Sequence, residues 1–182
     1  VIYMGKPEEP DPVKLFTGLL TGQIENLGKV EEELEENFGP IDEKSPLIPF
    51  DYTDYYRSEM GEGLTRKFVS FHNLVSPETL PGIKLKTNEI ERDFSDSGKF
   101  NVPRPVNIDP GYVGLSKLVL ATTKNYSHRV YLGEGVYAEV TLQYRDGSFQ
   151  HQPWTYPDYR SNEYIAYFDK LREKYKQQLK LE

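Results

Sequence analysis

Cysteine is absent from the 182 residues of this chain. Its absence excludes disulfide bonds, thiolate nucleophiles, and zinc or iron–sulfur sites built on cysteine. No apolar run approaches the roughly 20 residues of a membrane-spanning helix, and the opening residues lack the cationic and then apolar order of a secretory signal. We therefore expect a cytoplasmic protein without membrane contact. Only 2 Met and 28% charged residues are also typical of a thermophile.

Positive charge is also scarce. The chain has 22 basic against 29 acidic residues, a net charge of -7. Proteins that bind nucleic acid mainly through phosphates carry the opposite balance, so we expect no bulk nucleic-acid binding, although a local basic patch stays open.

Aromatic residues are abundant, at 13% with 14 Tyr and 9 Phe, which argues against disorder. The length suits one domain with a real core. We predict a flexible N-terminal arm over residues 1–12, where Pro7, Pro10 and Pro12 fix the backbone angle φ. A single domain over 13–182 follows it.

Apolar periodicity divides the first half of the chain into alternating elements. The predicted elements are a buried strand over 13–21, a helix carrying Ile24, Leu27, Leu34 and Phe38, a short strand around Ile48, a strand over 65–76 and a helix over 83–94. This β-α-β-β-α order is the start of a ferredoxin-like layout. Near the other end, an apolar stripe predicts a closing helix with Ser161 as its N-cap.

Turn length fixes strand pairing in the β-rich segment from 117 to 153. Asp146-Gly147 predicts a hairpin, and so do a loop over 133–135 and another over 125–127. The predicted pairs are Arg145 with Ser148, Tyr144 with Phe149, Leu142 with His151, Leu132 with Val136, Val130 with Ala138, Arg129 with Glu139 and Thr123 with Arg129. The segment is therefore predicted to be a four-stranded meander.

These pairings sort the side chains of the meander onto two faces. The predicted apolar face carries Val136, Ala138, Val140, Leu142 and Tyr144. A sheet with one apolar and one polar face is the antiparallel pattern, with the apolar face packed under helices. We predict an α+β fold: a mostly antiparallel sheet with helices on one face, a ferredoxin-like start, a β-meander and a C-terminal helix.

The cations around the 125–127 loop have two interpretations. Arg129 opposite Glu139 is most simply a cross-strand ion pair. Lys124, at a strand end, is most simply a solvent-exposed residue beside a turn. His128 and His151 share the parity of the apolar face, which favours satisfied core residues. Alternatively, the cations form a binding site.

Seven segments of the chain look like those of one protein family. They are PFDYTDYY (49–56), IKLKTNEIE (83–91), VNIDPGY (106–112), KLVLATTKN (117–125), HRVYL (128–132), YAEVTL (137–142) and WTYPDYRS (154–161). On these strings the chain resembles an uncharacterised prokaryotic family of domains of unknown function, family 4416. The resemblance implies no established activity, although some members carry the label of GTP-binding protein.

The sequence lacks the usual nucleotide-binding motifs. No G-x-x-x-x-G-K-[ST] occurs, because TGLLTGQI has two glycines without the following lysine. TTKN lacks the Asp of a guanine-reading motif, and GEGLTR and GEGVYA lack the third Gly of G-x-G-x-x-G. A nucleotide would need a phosphate-binding element of another kind. The absence of G-x-S-x-G disfavours serine-hydrolase chemistry, and the three His lack H-E-x-x-H spacing, which disfavours zinc.

Acidic loop residues are the candidate ligands for a divalent cation. Asp51, Asp54 and Glu59 share one loop, and Asp109 is predicted in a turn within NIDPGY. Acidic loops are common, however, and Asp-Pro-Gly is foremost a turn former. The cofactor therefore stays unknown, with Mg²⁺ or Ca²⁺ as an open alternative.

Two loops, FDYTDYYRSEMG and WTYPDYR, combine aromatic rings with charged residues. Such residues suit binding surfaces, because they bring contact area and hydrogen bonds at low entropy cost. The alternative is that the rings plug the ends of the sheet.

Two functional readings follow. In the first, the protein binds a small phosphate- or carboxylate-bearing ligand, a nucleotide among the candidates, with phosphoester chemistry as the reaction class. The candidate residues are His128 and Asp109 for catalysis, and Asn107, Lys117, Lys124, Arg129, Tyr52 and Trp154 for ligand binding. In the second, it is a non-catalytic interaction module that uses the Tyr/Trp loops, and a homodimer stays open.

Overall fold

The computed structural model describes residues 5–180, and within them the protein is an α+β structure of nine strands and four helices. The strands are β1 Val13–Thr21, β2 Ile41–Lys44, β3 Ile48–Pro49, β4 Thr65–Val75, β5 Asn107–Val113, β6 Lys117–Thr122, β7 Arg129–Gly133, β8 Val136–Arg145 and β9 Ser148–His151. The helices are α1 Leu27–Phe38, α2 Arg57–Met60, α3 Leu80–Asp96 and α4 Asn162–Leu179. Residues 1–4 of the predicted arm lie outside the described residues, and 5–12 form neither helix nor strand.

One antiparallel sheet contains all nine strands. Its main order is β2-β4-β1-β5-β6-β8-β7, with β3 beside β4 and β9 beside β8. Because β1 and β2 each run antiparallel to β4, which lies between them, they are parallel to each other and α1 makes the crossover of a split β-α-β unit. Assignment of this half to the ferredoxin-like class stays a prediction.

Helices cover both faces of the sheet, so the expectation of helices on one face is wrong. On β1, Leu15 and Leu19 pack in a cluster with residues of α1 and α3. Phe16 points the other way and packs against α4. Every residue of β1 is buried for this reason. The unbroken apolar run from 13 to 21 is what a strand covered on both faces shows.

The predicted helix starts and ends need small adjustments. Pro81 lies in the first turn of α3, where its missing N–H is no loss, so this helix begins at Leu80 instead of 83. The predicted cap of the last helix is confirmed, since Ser161 Oγ accepts a hydrogen bond from the Tyr164 N–H at 3.3 Å. None of the helices among residues 5–180 has the length and apolar character needed to cross a bilayer.

Two of the three predicted hairpins are present. β8 pairs with β9 and with β7, and the predicted partners Tyr144–Phe149 and Arg129–Glu139 are confirmed. Near the turn the register shifts by one residue, so Val136 pairs with Gly133 and not Leu132. The loop at Asp146-Gly147 has positive φ at both residues, as a type I′ turn requires.

The third hairpin is wrong, because β6 pairs with β8 and not with β7. Residues 137–139 of β8 have β6 on one side and β7 on the other. The connection over 123–128 therefore crosses from one side of β8 to the other, and 125–127 is not a tight turn.

The predicted single apolar face of β8 is also wrong. Opposite Leu118 and Val119, the pairing skips Thr141, which makes a β-bulge. Val136, Ala138 and Val140 pack with Leu80 of α3, whereas Leu142 packs in the cluster of α4 on the opposite face. Beyond a bulge, the side chains that would have pointed to one face of the sheet point to the other. A prediction that assumes strict alternation of side chains along the strand does not include this reversal.

Candidate functional site

A cavity of about 550 Å³ opens at one edge of the sheet. The first residues of β4 and β5 and the last residues of β6 meet at this edge. β4 and β5 both run antiparallel to β1, which lies between them, so both strands begin here, and β6 ends here because it runs antiparallel to β5. The walls come from loop 50–56, from α3 and from segment 156–159. Both aromatic loops of the sequence therefore border one cavity.

Positive charge predominates in this cavity. The side chains that line it include five cations and three anions: Arg66, Lys84, Arg104, Lys124 and Arg129, against Asp109, Glu139 and Asp158. The excess of two positive charges lies in a protein whose net charge is -7. A concave, partly apolar wall concentrates the field of such groups and attracts anions.

Arg66 is the buried centre of the cavity floor, with only 3% of its surface exposed. Its Nη1 lies 3.3 Å from Asp109 Oδ2 and its Nη2 lies 3.6 Å from Asp158 Oδ2. The guanidinium also lies over the ring of Phe50, 5.5 Å from its centroid. One cation thus holds two carboxylates that come from β5 and from the turn before α4.

Asp109 is the third residue of β5, so its predicted place in a turn is wrong. Pro110 pairs with β1, whereas the pairing with β6 begins only at Gly111, and a proline is tolerated where one edge of the strand has no ladder. Asn107 Nδ2 donates to Asp109 Oδ2 at 2.6 Å. The tight packing of β5 against its neighbours outweighs the turn preference of Asp-Pro-Gly.

The two carboxylates around Arg66 have opposite pKa shifts. Burial acts to raise the pKa of Asp109, but Lys84, 3.7 Å away, and Arg66 lower it below its ordinary value of 3.8. For Asp158 burial is the larger effect and raises the pKa, despite the attraction of Arg66. Two acids in one site whose pKa values are shifted in opposite directions can differ in protonation state at the same pH.

The Asp109 shift predicts an acid dependence of stability. A carboxyl group whose folded pKa is lowered stabilises the native state above its unfolded pKa, and this contribution is lost as pH falls through the folded pKa. We expect that, as the pH falls below about 4, the free energy of unfolding measured in urea decreases less for Asp109→Asn than for the wild type. The control Asp146→Asn, in an exposed turn, should follow the wild-type curve. Parallel curves for Asp109→Asn and the wild type would contradict the assignment.

Arg104 joins α3 to the start of β5. It donates through Nε and Nη2 to Glu91 Oε2 at 3.2 and 2.8 Å, and its Nη2 also bonds the side chain of Asn107. Glu91 Oε1 in turn accepts from the Ile108 N–H at 2.7 Å. Arg104 is therefore already neutralised within the fold.

At the mouth of the cavity, a series of hydrogen bonds connects its two aromatic walls. Lys124 Nζ donates to Tyr55 Oη at 3.2 Å. Arg129 donates from Nη1 to the Lys124 carbonyl at 2.9 Å and from Nη2 to Tyr156 Oη at 2.7 Å. Lys124 forms no ion pair with any residue in the described range 5–180.

The predicted ion pair of Arg129 with Glu139 is confirmed, at 2.9 Å. Glu139 is buried and also lies 2.9 Å from His128 Nε2. His128 stacks on Trp154, with ring centroids 5.2 Å apart. Its predicted position among apolar core residues is wrong, because β7 begins only at Arg129 and the alternation does not reach back to it. His151 is exposed at the end of β9, so the core prediction fails there too.

A family model described as Domain of unknown function (DUF4416) matches residues 11–175. The chain belongs to this family. No curated protein matches it, and no solved structure matches it. The family description assigns no activity, so the function has to be argued from the site.

In this DUF4416 member, five of the eight predicted site residues line the cavity: Tyr52, Asn107, Asp109, Lys124 and Arg129. Three do not. His128 and Trp154 lie behind Glu139, and Lys117 lies at the far end of β6, opposite Gln143.

Sequence reasoning missed the lining residues Arg66, Lys84 and Arg104, and it included Asp158 and Tyr159 only as members of the aromatic loop WTYPDYR. Two of the three missed residues had a sequence signal of burial, although not of function. Arg66 shares the parity of Phe68 in β4, and Lys84 follows Leu80 by one helical turn, so both lie on buried faces.

Within the described range, the acidic residues that the sequence offered as an alternative divalent-cation site do not come together. Among residues 5–180, no three His, Asp or Glu side chains lie together as metal ligands. Asp54 pairs with Arg57 and Glu59 with Arg104, while Asp109 pairs with Arg66 and Lys84.

Proposed function

We propose that this protein binds a small molecule with a phosphate or carboxylate group in the cavity between the two aromatic loops. The observation that carries the proposal is a lysine, Lys124, that has no carboxylate partner within residues 5–180 and lies in a concave site of an acidic protein. Binding sites for small molecules are concave and mostly apolar, with a few converging polar groups. This cavity has both properties.

Lys124 is where the anionic group binds. The other lining cations already have carboxylate partners, as with Arg66 and Asp109 or Arg129 and Glu139. Within residues 5–180, the ammonium group of Lys124 contacts the uncharged side chain of Tyr55: it donates to the hydroxyl at 3.2 Å and lies 5.1 Å from the ring centroid. An anion at the mouth therefore gains a charge-assisted contact without breaking an ion pair.

Phosphoester chemistry is the reaction class that these groups support. Lys124 and Arg129 would stabilise charge on a phosphoryl group. In a hydrolysis, the oxygen of a solvent water would bond to phosphorus, the bond from phosphorus to the leaving oxygen would break, and Asp158, whose burial raises its pKa, would donate a proton to that leaving oxygen. In this proposal Asp158 takes the proton-transfer role predicted for His128, since His128 does not line the cavity.

The test of binding is a thermal-shift screen followed by titration calorimetry, using inorganic phosphate, phosphate esters and small carboxylates. A ligand that favours the native state raises the melting temperature. We expect Lys124→Ala to weaken the tightest of these ligands about tenfold, since a hydrogen bond to a charged group contributes about 1.5 kcal/mol.

Lys117→Ala is the matched control. Lys117 is exposed at the start of β6, the strand that precedes Lys124 in the chain, and it lies outside the cavity. It should leave affinity within a factor of about two of the wild type, because an exposed charge at that distance is screened. Equal loss in both variants, or no binding by any anion, would refute the proposed site.

An interaction module is the second candidate, and the exposed edge strand β7 favours it. Val130, Tyr131 and Leu132 are consecutive exposed residues there, with Val130 68% exposed. Apolar edge strands are sites of pairing with another chain. Sedimentation of the wild type against Val130→Glu would show a self-associated species only in the wild type.

A further inference from the structure

We infer that the ligand carries a planar aromatic ring next to its anionic group. This inference rests on the proposed function and defines the class of molecule that the same cavity takes. Three observations carry it: two tyrosine-bearing walls with exposed rings, a cation between them at the mouth, and a buried hydroxyl without a partner at the floor.

The first wall is a run of aromatic residues before α2. Phe50 is buried and supports Tyr52 and Tyr56, with centroids 5.6 and 6.0 Å away. Tyr55 packs edge-on against Tyr56 at 5.0 Å and is 63% exposed. The outer ring therefore rests on a rigid aromatic base and still has surface available for contact.

The second wall comes from the segment before α4, about a hundred residues later in the chain. Tyr156 is 47% exposed, and Arg129 fixes its hydroxyl at 2.7 Å. Tyr55 and Tyr156 thus stand at the same mouth, each held in place by one of the two adjacent cations. Exposed rings fixed in this way bind another ring at little entropic cost.

The floor adds a polar requirement. Tyr159 is one of the residues that line the cavity, it is only 3% exposed, and its hydroxyl oxygen is buried without a hydrogen-bond partner in the described structure. Buried hydroxyls are almost always paired, and an unpaired one is costly. An acceptor atom on the inner edge of the ligand ring would satisfy this donor while the anion stays at Lys124.

Calorimetry with four probes tests the inference: inorganic phosphate, ribose 5-phosphate, phenyl phosphate and adenosine 5′-monophosphate. We expect both ring-bearing phosphates to bind at least about fivefold more tightly than ribose 5-phosphate, the gain typical of one aromatic contact. A preference for adenosine 5′-monophosphate over phenyl phosphate would identify a nucleotide, and the reverse a simple aryl phosphate.

The outcomes separate this inference from the proposed function. If ribose 5-phosphate binds as tightly as phenyl phosphate, the cavity binds anions without ring recognition and the inference fails alone. If none of the four probes binds, both fail.

Substitutions at Tyr55 test the stacking contact directly. Tyr55→Ala should weaken phenyl phosphate at least about fivefold and leave inorganic phosphate within about twofold, because the stacking contact is lost while the charge of Lys124, which binds the anion, is retained. Tyr55→Phe retains the ring and should retain the preference. Tyr131→Ala removes an equally exposed tyrosine outside the cavity and serves as the control. Equal losses for both probes in Tyr55→Ala would overturn the inference.

Discussion

Arg66→Met is expected to lower the free energy of unfolding by about 3–5 kcal/mol, the usual cost of breaking a buried ion pair from one side. The guanidinium is buried and lies between Asp109 and Asp158. Its removal leaves two carboxylates without their shared cation at the cavity floor. Methionine fills a similar volume, so the loss reports on charge more than on packing.

Urea unfolding followed by circular dichroism measures this loss. Arg145→Met, at the exposed end of β8, is the matched control and should stay within about 0.5 kcal/mol of the wild type. Adding Asp158→Asn to Arg66→Met should recover part of the stability, because one unpaired buried carboxylate is removed. A loss under about 1 kcal/mol for Arg66→Met would show that Arg66 is not the centre of the floor.

Gly111→Ala is expected to cost up to about 3 kcal/mol, at the upper end of overpacking effects. Gly111 lies in β5 between β1 and β6, and a Cβ there would lie 2.8 Å from Cζ of the Phe16 ring and would overlap the carbonyl oxygen of Val119. A backbone oxygen in a paired strand cannot move aside cheaply. The glycine therefore sets how closely the central strands approach beside the cavity.

The same unfolding experiment tests Gly111→Ala against Gly114→Ala. At Gly114 the added carbon would have an ordinary contact, 3.6 Å from the Lys117 carbonyl oxygen. This control should therefore lose about 1 kcal/mol or less. Equal stability of the two variants would mean that β5 and β6 are not packed as closely as described.

Five of the eight residues named from the sequence line the cavity, because they cluster in sequence around strand ends. Asn107 and Asp109 stand at the start of β5, and Lys124 and Arg129 flank the connection after β6. The residues from β4 and α3 were missed, because a lone cation such as Arg66 or Lys84 has no local pattern that marks it as functional. Only the sheet order brings β4, β5 and β6 to one edge.

Local sequence determined what depends on short-range geometry. The Asp146-Gly147 turn sets the pairing of β8 with β9, because a tight turn leaves its flanking strands one register. The pairing of Arg129 with Glu139 depends in addition on an irregularity between Tyr131 and Gly133 that shifts the register by one residue. Helical spacing and the Ser161 cap likewise placed α4.

Tertiary structure decided the rest. The partner of β6, the bulge opposite Leu118 and the place of Asp109 within a strand all depend on which distant strand lies alongside, and turn chemistry carries no information about that. The cavity itself also depends on tertiary structure. Its two aromatic walls are about a hundred residues apart in the chain, and they meet because the packing of a long antiparallel sheet, not any local preference, brings its strand ends together.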